Sequence, residues 1–188
     1  MARFEPRAVV LVEGPSDQRA LEALAGRRGR DLAAERVLVL SMGGASGIGP
    51  FLDRFGPSGL DLRLAGLCDE GEESGFRRAL ERAGLGPART REEMEALGFF
   101  VCVADLEDEL IRALGAAAVE QVIRDEGELG SLRSLQSQPG WQGRRTEEQL
   151  RRFLGTRGGR KIHYAHLLVD VLDLDQVPRP LDRLLAHL

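Results

Sequence analysis

Two cysteines, three histidines, one tryptophan, one tyrosine and one lysine are all that this 188-residue chain contains of those residue types. Cys68 and Cys102 both lie in apolar, strand-like runs, where a thiol behaves as a small core hydrophobe. No spaced set of cysteines and histidines exists that could build a zinc site. No apolar run approaches the ~18 residues needed to span a bilayer, and no signal peptide is recognisable, so a cytoplasmic protein without membrane contact is expected. Positive charge is not in excess either. Twenty-six Lys and Arg stand against thirty Asp and Glu, a net charge of -4, which argues against binding nucleic acid by bulk charge. A local basic groove stays open, because the arginines cluster. What remains is 43% hydrophobic and 30% charged, a soluble globular composition long enough for one domain, or one domain with a helical appendage.

Four short apolar runs read as buried strands: Ala8–Glu13, Arg36–Leu40, Leu62–Cys68 and Phe99–Val103. Between them lie helical periodicities over Asp17–Gly29, Ile48–Phe55, Ser74–Ala83 and Thr90–Leu97, the second opening from the glycine-rich stretch Ser41–Pro50. From Leu106 onward the pattern is helical, with breaks near Pro139 and at Gly155–Gly159. Strands alternating with helices predict right-handed crossovers and a mostly parallel, four-stranded sheet flanked by helices, a Rossmann-like α/β fold. Residues 1–115 would form its core and 116–188 a helical C-terminal extension.

In such sheets, sites form beyond the carboxyl ends of the strands. Three of the four predicted strands end in acid: Glu13 with Asp17 close behind, Asp69, and Asp105 with Glu107. Taken singly, an aspartate at a strand-to-helix junction is more often an N-cap, and a glutamate in a first turn answers the helix dipole. Taken together, acids at three sheet ends would converge and repel unless a cation stood between them. Oxygen-only ligands suit Mg²⁺ or Mn²⁺, and those ions suit phosphoryl chemistry.

The same residues carry a resemblance. LVEGPSD (Glu13, Gly14, Asp17) resembles the first motif of the Toprim domain, and LCDEGE (Asp69) stands where that domain has Asp-x-Asp. VADLEDELIRALG (Asp105, Glu107) and GGRKIHYAHLL (Lys161) are similar to later segments of the Toprim region of the OLD (overcoming lysogenization defect) nucleases. The four motifs occur in the family order and span residues 8 to 170. The second departs from the pattern, leaving the partner of Asp69 open between Glu70 and Glu72. The resemblance implies a DNA endonuclease using two divalent ions, Mg²⁺ or Mn²⁺. Glu13 would bind metal or act as the nearby base, beside Asp17 and Asp69. Asp105 and Glu107 would hold the second ion, and Lys161 would meet charge on the scissile phosphate. OLD proteins usually place an ATPase ahead of this region. No Gly-x-x-x-x-Gly-Lys-Ser/Thr motif appears here, so cleavage is expected to be ATP-independent, with self-association or a separately encoded ATPase as partner.

Lys161 could be a solvated residue at a helix start, but among 26 basic residues it is the single lysine. Before it run Arg144, Arg145, Arg151, Arg152, Arg157 and Arg160, either a solvated helix face or a contact for a nucleic-acid backbone. Trp141 reads as a packing anchor, with base stacking as the alternative; His163 and His166 read as structural. Gly44-x-x-Gly47 offers backbone N–H groups to a phosphate, or is a plain turn. Other functions compete. A small Toprim RNase is one, since stand-alone RNases of that family are of similar length; a non-catalytic scaffold is another, against which five acids and Lys161 weigh. A topoisomerase needs a tyrosine nucleophile, and Tyr164 sits inside the lysine helix. A Toprim primase normally brings a zinc module, which is absent.

Overall fold

The computed structural model describes residues 5–44 and 47–188. Four strands form one parallel sheet: β1 (Ala8–Val12), β2 (Val37–Ser41), β3 (Arg63–Asp69) and β4 (Phe99–Cys102), in the order β2-β1-β3-β4. Strand β1 pairs Leu11 with Leu40 on one side and with Gly66 on the other, and β3 pairs Asp69 with Cys102. Because every pair is parallel, all four carboxyl ends open on the same edge. The two central strands, β1 and β3, deliver Glu13 and Asp69 there side by side.

Strand β1 reads as a continuous apolar run because both of its faces are covered. Its five residues are at most 1% exposed. Complete burial of each of its Val and Leu side chains contributes roughly 1.5–3 kcal/mol. Alternate residues feed two cores. Val10 and Val12 face α1 (Pro15–Arg27) and the C-terminal helices, whereas Val9 and Leu11 face α2 (Ile48–Phe55), α3 (Glu73–Arg82) and α4 (Arg91–Ala96). On β3, Gly66 lets the sheet close. A Cβ there would stand 2.8 Å from both the Leu11 carbonyl oxygen and the Phe99 ring. The Thr90 side chain caps α4 by accepting from the Glu93 N–H at 3.2 Å.

After β4 the chain is helical: α5 (Leu106–Leu114), α6 (Ala116–Asp125), α7 (Leu129–Gln136), α8 (Thr146–Leu154), α9 (Gly158–Asp170) and α10 (Arg179–His187). These helices share the core of α1. Leu110, Val119, Leu150, Tyr164, Leu168 and Leu184 join the cluster that holds Val10 and Leu21. Helix α9 packs along α1 and brings its first turn to the open edge of the sheet. Among the described residues no helix is long and apolar enough to cross a membrane.

Candidate metal centre

A cavity of about 370 Å³ lies at the carboxyl edge of the sheet, lined by Glu13, Asp17, Asp69, Asp105, Glu107 and Lys161. Six residues from four distant sequence segments therefore meet in one place. Each arrives by its own local logic. Glu13 is the first residue beyond β1. Asp17, in the first turn of α1, accepts a 2.7 Å bond from the Gly14 N–H, the backward half of a capping box. Asp69 ends β3 and caps nothing with its side chain. Asp105 is the N-cap of α5, its Oδ1 accepting from the Asp108 N–H at 2.9 Å. Glu107 lies in the next turn, 4% exposed. Capping and site-building are thus not alternatives for Asp105: one oxygen caps, and the other faces outward to a cation.

That cation is Arg151 of α8, whose Nε and Nη2 lie 2.8 and 2.7 Å from Asp105 Oδ2. Lys161 Nζ forms an ion pair with Glu107 Oε2 at 2.7 Å. Burial pulls the ammonium down, but Glu107, Asp105 and Asp17 outweigh it, so Lys161 stays charged above its ordinary range. Among the described residues the other three carboxyls have no paired cation of this kind. Burial pushes Asp69 up to about 8, with Glu13, Asp17 and Asp105 adding repulsion. Burial likewise lifts Asp17 to about 7, against the pull of the Gly14 N–H. Glu13 is raised by burial and then by Glu72.

Among the described residues the buried Glu13 Oε2 has no hydrogen-bond partner, and the buried Glu107 Oε2 meets only the Lys161 ammonium. Orphaned buried carboxylate oxygens are costly, and a hard divalent ion satisfies them. The donor set fits such an ion. Among the described residues no three His, Cys, Asp or Glu side chains are yet drawn close enough to enclose a metal as they stand. Glu13, Asp17 and Asp69 repel one another when charged, while Asp105 and Glu107 are drawn to Arg151 and Lys161.

Of the two acids left open after Asp69, Glu70 turns to Arg91 at 3.0 Å, which also holds Glu73 at 2.5 Å. Glu72 remains near enough to Glu13 to raise it. The glycine-rich loop after β2 closes the cavity with Gly43 (φ 73°) and Gly44 (φ 126°), conformations that favour glycine. Gly44 N–H donates to the Glu13 carbonyl at 3.1 Å. The centre of the Gly44-x-x-Gly47 segment, Ala45 and Ser46, lies outside the described residues.

Two groups that matter here do not stand out in the sequence. Glu109, 6% exposed, accepts from the Val103 N–H at 2.8 Å and pins the turn between β4 and α5. Within that turn Ala104 adopts φ 65°, a strained conformation for a side chain with Cβ. The other is the Asp105–Arg151 pair, which joins residues 46 positions apart. The arginine-rich segment also divides. Arg144, Arg145, Arg151 and Arg152 line a second cavity, of about 580 Å³, which shares Asp105 and Lys161 with the first. Arg160 does not join them; it is buried, holds Glu128 through two bonds of 3.0 and 2.7 Å, and stacks 4.0 Å over Phe153. Arg157 lines a separate depression with Glu126 and Glu128.

Residues 6–70 match the family described as overcoming lysogenization defect protein-like, TOPRIM domain. The whole fold is similar to that of the C-terminal region of the Xanthomonas campestris pv. campestris OLD protein. The TM-score is 0.75 at 25% identity, over 98% of this chain and 95% of that one. The C-terminal region of the Burkholderia pseudomallei OLD protein aligns with a TM-score of 0.74 at 22% identity, over 97% and 96% of the two chains. No curated protein matches the sequence. The α/β fold is that of the OLD Toprim region, and the chain contains a Toprim domain resembling OLD.

Proposed function

We propose that this OLD-like Toprim protein is a divalent-metal-dependent endonuclease that hydrolyses phosphodiester bonds of DNA. The observation that supports the reading best is the convergence of Glu13, Asp17, Asp69, Asp105, Glu107 and Lys161 on one cavity, with the buried Glu13 Oε2 unpartnered among the described residues. Glu13, Asp17 and Asp69 would hold one Mg²⁺ or Mn²⁺ ion, and Asp105 with Glu107 a second. Bound there, such ions supply Lewis-acid activation of water and neutralise the leaving oxygen. Glu13, raised above its ordinary range, is suited to take a proton from the attacking water. Lys161 carries a compact positive charge on a helix start and is suited to balance negative charge developing on the phosphate. On this reading residues 1–115 are the Toprim core, and 116–188 an extension that completes the site with Lys161. Specificity would come from self-association or from a separately encoded ATPase.

Supercoiled DNA, linear DNA and structured RNA, each incubated with the protein in Mg²⁺, Mn²⁺ or EDTA, test the proposal. Cleavage of DNA with either metal, lost in EDTA, is expected. Cleavage of RNA alone would make the protein an RNase. Metal binding without cleavage of any nucleic acid would leave a scaffold.

A further inference from the structure

The second cavity is unlike the first in everything but its neighbours. Its walls come from α8 and from the connection between α7 and α8, and it meets the metal cleft at Asp105 and Lys161. Trp141, the single tryptophan of the chain, stands in its wall half-buried, with its far side packed on the main core. The guanidinium groups of Arg144 and Arg152 lie over the indole, 5.1 and 5.8 Å from the ring centre. The backbone at Trp141 is held from beneath. Its carbonyl accepts from Gln149 at 2.7 Å, and the buried Gln149 accepts in turn from Gln136 at 2.9 Å. An indole covered by guanidinium planes forms an aromatic–cation stack, which a flat, electron-rich ring can extend or enter in place of one arginine.

The charge pattern narrows the ligand. Arg144, Arg145, Arg151 and Arg152 share the lining with Asp108, Glu147 and Glu148. So mixed a rim gives a long polyanion little to gain, while one or two phosphates can reach the arginines. A volume of about 580 Å³ is of the size that holds a small ligand, and a nucleotide is one. Bases inside a duplex are stacked on each other and cannot enter such a cavity without being extruded.

We propose that this cavity receives an unpaired nucleotide of the substrate strand, its base stacked at Trp141 and its phosphate carried by Arg151 and Arg152 toward Lys161. The inference rests on the phosphodiester chemistry proposed for the adjoining cleft. It adds that the protein grips single-stranded nucleic acid in preference to duplex. Arg151 stands at the junction, since its donors now meet Asp105.

Because Trp141 is the only tryptophan, its fluorescence reports this cavity alone. The full chain, in EDTA so that metal-dependent cleavage is suppressed, is titrated with a short oligothymidylate, an oligouridylate, and a blunt DNA duplex of equal length. Quenching by a single strand and not by the duplex is expected; the two oligonucleotides separate DNA from RNA as the source of the strand. Anisotropy of a labelled oligothymidylate then compares variants. Trp141→Ala should weaken binding roughly 5- to 150-fold, the range for loss of one stacked base. Trp141→Phe, which keeps a ring and guards against a folding defect, should restore most of it. Equal quenching by duplex, no quenching by either strand, or unchanged affinity in Trp141→Ala overturns the proposal. Failure of the nuclease reading looks different: tight oligonucleotide binding at Trp141 with no cleavage in any metal.

Discussion

The two adjoining cavities solve opposite electrostatic problems. In the acidic one, carboxyls arrive at strand ends and in the helix starts that follow them, three of them have no paired cation among the described residues, and burial and repulsion between acids raise all three. In the basic one, charges arrive on α8 and the segment before it, near solvent, and are mostly paired, as Arg145 is with Glu148 at 3.0 Å. Exposed pairs of that kind contribute little to stability, whereas a buried, uncompensated carboxyl is costly. The acidic cavity is thus poised to be rescued by a ligand, and the basic one only to be joined by it.

The largest break in this contrast should come from the acids. Glu13→Ala or Asp69→Ala is expected to lower metal-dependent cleavage by at least ~10²–10³-fold, the scale for removal of a group that stabilises the transition state. The same changes should leave the metal-free melting temperature unchanged or raised, because repulsion is relieved. A loss of folding in both variants would show the acids to be structural. Lys161→Ala should also lose activity and still bind metal in calorimetry, but its metal-free protein should melt lower, since Glu107 is left buried without its counter-charge. Opposite signs at Glu13 and Lys161 are the signature to look for.

Next in size is a pH effect. The folded-state carboxyls of Asp69 and Asp17 are raised to about 8 and about 7, from an ordinary value of 3.8. The folded protein therefore binds more protons than the unfolded chain between those limits. Their contribution to stability is full below the unfolded value and is lost as pH rises through the folded ones. In EDTA the melting temperature should fall from about pH 4 to about pH 8, the window these values set, and Asp69→Asn should flatten the fall. A flat wild-type profile would remove the electrostatic account of this cleft.

The smallest effects belong to the basic wall. Arg151→Gln with Arg152→Gln should shallow the salt dependence of oligonucleotide binding, by about 0.7 in log–log slope for each phosphate no longer neutralised. Arg160→Gln should leave that slope alone and lower stability instead, because Arg160 spends its donors on Glu128, Thr156 and the Phe153 carbonyl. A salt effect at Arg160 would blur the line drawn between these arginines.

Much of the acidic cavity is legible in the sequence, and for a reason. Parallel strands put their carboxyl ends on one edge, so an acid after each of three strands is a statement about space as well as about the chain. Strand and helix positions follow from apolar periodicity, with small shifts such as β2 running Val37–Ser41 and not Arg36–Leu40. The basic cavity is less legible. Arg151, Arg152, Arg157 and Arg160 look alike in sequence, but α8 ends at Leu154 and α9 begins at Gly158, so a new axis reassigns their faces. Which of them meets Asp105, and which is buried against Phe153, depends on how α8 and α9 pack on elements far away in the chain. Glu70 and Glu72 stay undecided in the sequence for the same reason: the arginine that takes Glu70 lies 21 residues later.

Strand β1 lies in the middle of the sheet with both faces covered, while Lys161 sits in the first turn of α9, where backbone N–H groups lack intrahelical acceptors. The two sides of the cleft therefore have different lifetimes. Hydrogen exchange at Val10 and Val12 requires opening the molecule as a whole, but exchange at Lys161 needs only that one helical turn fray. The ion pair of Lys161 with Glu107 is therefore expected to open far more often than the strand that presents Glu13. The cleft keeps one slow wall and one fast one, so a strand threading past it would be met by a fixed edge on one side and a yielding one on the other.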